Sequence, residues 1–133
     1  MKVFVTELKS VGIFSEMYRS AGRELPRLSD SYTTRIIGDR EQIADYMAAC
    51  TPIFDVLEDV VDLVEGREWI RSGPTLISDG AWIWRLDSIH YLRHYSLDIP
   101  QEFLEHVRNR EYRPATDVDA SAPAFDDAIS AYF

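Results

Sequence analysis

The segment Leu76-Ile77-Ser78-Asp79-Gly80-Ala81-Trp82-Ile83-Trp84 most constrains the fold, because two short apolar runs meet in it at Asp-Gly. Asp-Gly between such runs is the strongest short-range hairpin signal a chain carries. Read as a two-residue turn, Asp79-Gly80 sets Ser78 against Ala81, Ile77 against Trp82, Leu76 against Ile83 and Thr75 against Trp84. Side chains alternate along a strand. One face therefore carries Thr75, Ile77, Trp82 and Trp84, and the other Leu76, Ser78, Ala81, Ile83 and Arg85. Both faces are apolar, so the hairpin is expected near the centre of the fold with cover on each side.

Helical periodicity flanks it. Asp39 with Gln42 three residues on forms a capping-box pattern, followed by the stripe Ile43, Tyr46, Met47 and Cys50, and Thr51-Pro52 ends that helix. Asp87 is placed to cap a helix carrying Ile89, Tyr91, Leu92 and Tyr95. A further helix has Pro100 in its first turn, Glu102 early, Arg108 and Arg110 late, and Phe103, Leu104 and Val107 as its buried stripe. From Ile53 to Val64 the apolar residues are largely β-branched. This favours one or two strands, although a helix over 55–65 also fits. Glu68 to Arg71 reads as a short strand returning after a Gly66 turn. At the start, Leu8, Val11, Phe14, Tyr18 and Ala21 recur at helical spacing, weakened by Gly12, while Val3 and Val5 could begin an edge strand. The expected class is α+β: a small antiparallel sheet centred on residues 75–85, packed by helices near 40–50, 87–95 and 100–110.

A chain of 133 residues with 46% hydrophobic residues suffices for one core. Residues 1–113 are expected to form that single domain. From Pro114 to Ala124 the composition turns to Ala, Asp, Ser, Thr and Pro and predicts a flexible tether. It leads to an apolar end in which Phe125, Ile129 and Tyr132 share a helical face, able to dock on the domain or on another protein.

The formal net charge is −9. Such a surface repels nucleic-acid phosphates and attracts basic proteins. The charge concentrates in Asp55, Glu58, Asp59, Asp62 and Glu65, with no basic residue from Cys50 to Gly66. As a strand this run would turn Asp55 and Asp59 outward and Leu57 inward. It reads as a solvated face or as a docking surface for lysines and arginines, with Trp69 as a candidate exposed anchor. His90 and His94 stand four apart on one helix, and His106 follows near Glu102 and Glu105, but neither His-Glu-x-x-His nor a cysteine pair supports a metal site. No Gly-x-Ser-x-Gly elbow, dinucleotide fingerprint or Walker sequence is present, so no cofactor and no catalytic residue is assigned. A lone cysteine, Cys50, permits no internal disulfide and reads as a buried small side chain. With no secretory pattern at the start and no spanning apolar run, the expected location is cytoplasmic, away from membranes.

Thr75 to Trp84, then Tyr91-Leu92 and Tyr95, then Ile99-Pro100-Gln101-Glu102-Phe103-Leu104-Glu105-His106, resemble a group of small bacterial proteins. Their shared pattern is a Thr/Ser-Asp-Gly-x-Trp-x-Trp hairpin, a Tyr-rich helix and a Leu/Ile-Pro-x-Glu-Phe helix. Many look like immunity proteins beside polymorphic toxins. The resemblance spans about residues 39–112; together with the acidic charge and the absence of catalytic motifs it leads to the expectation of a non-enzymatic protein that neutralises a toxin with a basic surface by stoichiometric binding. The alternatives are a regulatory adaptor that binds through its acidic, aromatic C-terminal segment and a small enzyme of unrecognised type.

Overall fold

The computed structural model describes residues 8–19 and 24–132. Its elements run β1 (Lys9–Ser10), α1 (Arg40–Ala49), β2 (Thr51–Phe54), β3 (Val60–Val61), β4 (Trp69–Ile70), β5 (Leu76–Ser78), β6 (Trp82–Arg85), α2 (Leu86–His94), α3 (Gln101–Asn109) and α4 (Pro123–Tyr132), with single 3-10 turns at Ser15–Met17 and Leu28–Asp30. A four-stranded sheet has the order β1-β6-β5-β2, and β3 pairs with β4 in a separate two-stranded ribbon. The class is α+β. The larger sheet is antiparallel except at β1, which joins β6 in parallel.

The central hairpin forms one step further along than expected. Ile77 faces Trp84 and Ser78 faces Ile83, which puts Gly80-Ala81 at the tip. Asp79 causes the displacement. Its Oδ1 accepts the N–H groups of Ala81 (2.9 Å) and Trp82 (2.8 Å), closing an Asx-type turn around Gly80, whose φ is +94°. The partner of each residue moves by two, an even number, so the faces are those read from the sequence. Ile77, Trp82 and Trp84 join one core cluster and Leu76 and Ile83 a second, on opposite sides of the sheet.

Helices α1, α2 and α3 cover the first side. Trp84 is fully buried and packs edge-on to Phe103 at 5.7 Å and tilted to Tyr46 at 6.4 Å, while its Nε1 donates to the Met47 carbonyl. Trp82 meets Phe103 at 5.1 Å. The indoles are scaffold.

The second side is covered by residues expected to be a loose tether. Ala115 and Val118 are buried against it, as are Phe125, Ala128 and Tyr132 of α4. Thr51 Oγ1 donates to the Ala115 carbonyl at 2.9 Å. The tether reading is corrected: an Ala- and Pro-rich composition lowers the average hydropathy, but Ala115 and Val118 pack on the second face of the sheet and anchor the segment.

Other local expectations shift in detail. Asp39 sits at the α1 N-cap, yet its carboxylate makes no cap bond; it accepts two N–H groups of Arg108 (2.8 Å each) and the Tyr112 hydroxyl (2.6 Å), stitching α1 to the end of α3. Helix α2 begins at Leu86, before Asp87. The 53–64 stretch forms strands, and the return strand at 69–70 is present. In the described part of the amphipathic helix read at the start, residues 8–19, the chain forms β1 and a 3-10 turn instead. Gly12 separates them with φ +69°, and a Cβ there would lie 2.9 Å from Ser88 Cβ. At this close approach Ser88 Oγ donates to the Gly12 carbonyl and accepts the Arg85 N–H. Val3, Val5 and Ala21 lie outside the described residues.

Candidate functional site

The acidic run and Trp69 belong to the excursion between β2 and β5, whose stem is the β3–β4 ribbon. Val60 pairs with Ile70 and Val61 with Trp69. Ile70 and Val60 pack on the first core, so strand alternation turns Val61 and Trp69 outward. Trp69 is 67% exposed. Asp55, Glu58, Asp59 and Glu65 are exposed too, as expected.

Two of the sequence expectations fail here. Leu57, read as inward, is 92% exposed. Asp62, read as part of the docking surface, is 2% exposed and faces the protein. Its carboxylate is the hub of a latch. Oδ1 lies 2.8 Å from His90 Nε2, and both oxygens accept the Tyr95 hydroxyl at 3.0–3.1 Å. Oδ2 also accepts the N–H groups of Val64 (3.2 Å) and Glu65 (2.6 Å), shaping the turn at the ribbon's tip. Beside it the Leu63 N–H donates to the Tyr91 hydroxyl at 2.9 Å. Three α2 and post-α2 side chains thus clamp the ribbon to the body.

Burial pushes the Asp62 carboxyl up, but the bonds from Glu65 N–H, His90 and Tyr95 outweigh it and hold the group below its ordinary range. A depressed acid contributes stability above its unfolded value, about 3.9, and loses that contribution as pH falls through its folded value. The tip is therefore expected to loosen in acid below about pH 4. At neutral pH, Asp62→Asn should raise amide exchange at Leu63 and Glu65 by about tenfold while the core amides of β5 and β6 keep their rates. Exchange unchanged at the tip would remove the latch.

The latch leaves a surface of mixed character. Exposed Leu57, Leu63, Val64 and Trp69 are interspersed with Asp55, Glu58, Asp59, Glu65 and Glu68, with Arg67 and Arg71 alongside. Four exposed apolar side chains thus stand in the same excursion as five exposed carboxylates. The sequence signals for it were the density of carboxylates and Trp69; Leu57, Leu63 and Val64 gave none, because aliphatic residues look alike in a sequence whether buried or not.

A second polar cluster escaped sequence reading. Asp79 Oδ2 accepts the Tyr46 hydroxyl (2.5 Å) and lies 2.8 Å from His106 Nε2. Oδ1 closes the hairpin turn and Oδ2 ties the hairpin tip to α1 and α3, which is a structural assignment. Burial pushes the nearby Cys50 thiol up to about 11, so it stays protonated and inert at neutral pH. The rings of His90 and His94 lie 5.0 Å apart, but His106 is held at Asp79 instead. Among the described residues no group of three or more His, Cys, Asp or Glu side chains is arranged to hold a metal ion. Among them, too, no helix is long and apolar enough to cross a membrane. No family model, curated protein or solved structure matches the chain.

Proposed function

We propose that this protein is an immunity-type binding protein that neutralises a basic toxin by stoichiometric, non-enzymatic association through the β3–β4 ribbon. The observation that carries the reading is the exposed Trp69 on a ribbon clamped to the body by Asp62, in the same excursion as exposed Leu57, Leu63 and Val64 and five exposed carboxylates. An indole on a pre-ordered support is a low-entropy anchor, and the carboxylates steer a positive partner. The net charge of −9 extends that steering over the whole surface. The reading places the protein in the cytoplasm, where its single buried thiol stays reduced. It favours the ribbon over the C-terminal segment, because Phe125 and Tyr132 are turned into the second core and are not offered to an adaptor's partner.

The test uses the product of the neighbouring gene as the toxin, with growth rescue on co-expression and surface-plasmon kinetics as readouts. Trp69→Ala is expected to weaken binding by about 2 kcal/mol, roughly thirtyfold, mainly through faster dissociation. The double change Asp55→Lys, Asp59→Lys should slow association about tenfold at low salt and much less at high salt. Asp62 is left intact because it is buried. Full rescue with unaltered kinetics in both variants would exclude the ribbon.

A further inference from the structure

Among the described residues, the β1 margin of the sheet turns backbone groups away from its neighbour. At β1, Lys9 N–H donates to the Ala81 carbonyl and Val11 N–H to the Ile83 carbonyl, both at 3.1 Å. In a parallel ladder the residue between them, Ser10, then turns its own N–H and C=O away from β6. On that side lies a half-open groove of about 400 Å³, lined by Ser10, Gly12, Asp30, Tyr32, Thr33 and Asp98 among others.

The groove's far wall carries a single antiparallel bridge. Tyr32 and Leu97 form an isolated antiparallel bridge, in which Thr33 N–H donates to the Ser96 carbonyl and Asp98 N–H to the Ser31 carbonyl, each at 2.8 Å. That pattern makes Tyr32 and Leu97 a non-hydrogen-bonded pair, so Tyr32 likewise turns its N–H and C=O away from its partner. The two-residue strand β1 and the bridge residue Tyr32 therefore flank the groove, and each turns peptide groups away from its own partner. Carboxylates stand at the rim: Asp30 is exposed, and Asp98 accepts Arg35 through Oδ1 alone.

We propose that this groove receives an extended basic peptide segment of a partner protein, which adds a strand to the β1 margin and lays a lysine or arginine between Asp30 and Asp98. Outward peptide groups select an extended chain, since only a strand presents donors and acceptors in the matching alternation. The carboxylates select its charge, and the volume lies in the range of ligand clefts. The surface shares no residue with the ribbon, so either proposal can fail without the other.

The experiment titrates the full-length, isotope-labelled protein with acetyl-Lys-Val-Lys-Val-Lys-Val-amide and follows backbone amides. Saturating peptide is expected to slow exchange of the Ser10 and Tyr32 amides about tenfold. Asp30→Asn with Asp98→Asn should weaken binding about fivefold at low salt. Ser10→Pro should abolish protection at Tyr32, because it removes the outward donor while sparing the bonds of Lys9 and Val11; an edge strand tolerates proline there. The same peptide N-methylated at alternate residues should not protect either amide, an arm that needs no protein variant. The proposal is overturned by no protection at millimolar peptide, by equal protection from the Glu-Val counterpart, by putrescine reproducing the effect, or by protection that rises with protein concentration alone, which marks a second copy as the occupant.

Discussion

Asp87→Ala is expected to cost about 3–5 kcal/mol of folding free energy, a large share of what a domain of this size possesses. Arg85 and Asp87 are both buried and form a fork, Nε to Oδ1 at 2.9 Å and NH2 to Oδ2 at 2.8 Å. Removing the carboxylate leaves a guanidinium enclosed with the Tyr18 ring, 5.2 Å away, and without its counter-charge. The cost arises from that stranded cation more than from the lost attraction. It follows that Arg85→Met combined with Asp87→Leu should be closer to wild type than either Arg85→Met or Asp87→Leu alone. Urea unfolding of the four proteins provides the check. If the double variant loses the sum of the two single losses, the pair is not coupled and the argument fails.

Asp79→Ala should be comparably harmful, by about 3–5 kcal/mol, because one carboxylate serves four donors from three elements. Two of them, the Tyr46 hydroxyl and the Trp82 N–H, belong to buried residues and would have no replacement in water. Asp79→Asn keeps an oxygen for the turn but brings an amide N–H₂ toward Tyr46 and His106, and should fall between wild type and alanine. Tyr46→Phe provides a cycle: in the Asp79→Ala background it should be nearly neutral, whereas alone it should cost about 1 kcal/mol. Additive losses in thermal unfolding would show that the hydroxyl and the carboxylate do not act together.

What the sequence could and could not convey follows from the range of the interactions involved. The hairpin faces were legible because parity survives an even slip; the register was not, since Asp79 could serve equally as a turn residue or as the acceptor that closes the turn. The helices at 40–49, 86–94 and 101–109 were legible from apolar spacing. Their caps were less so: Asp39 bonds Arg108, a partner 69 residues away that no local pattern reveals. The same reason hid Asp62. Five carboxylates in one run are equivalent by composition, and what separates Asp62 from Asp59 is contact with His90 and Tyr95, 28 and 33 residues on. Leu57 illustrates the converse, an apolar side chain placed outward in a segment without a second face to bury. At the C-terminal side, low hydropathy concealed Ala115 and Val118, which matter only because the sheet has a second uncovered face to receive them.

The sheet's two sides end differently. Along β2 the outermost backbone carries Pro52 and an irregularity at Ile53, where the register jumps from Pro52–Ile77 to Phe54–Leu76. A ring nitrogen and a bent contour refuse a further strand. Of this sheet's two borders among the described residues, the one at β1 is receptive. Growth of a fibril demands that every molecule accept a neighbour on both flanks, so strand-by-strand joining through the four-stranded sheet halts at a pair. Blocked polymerisation is built into the placement of one imino acid.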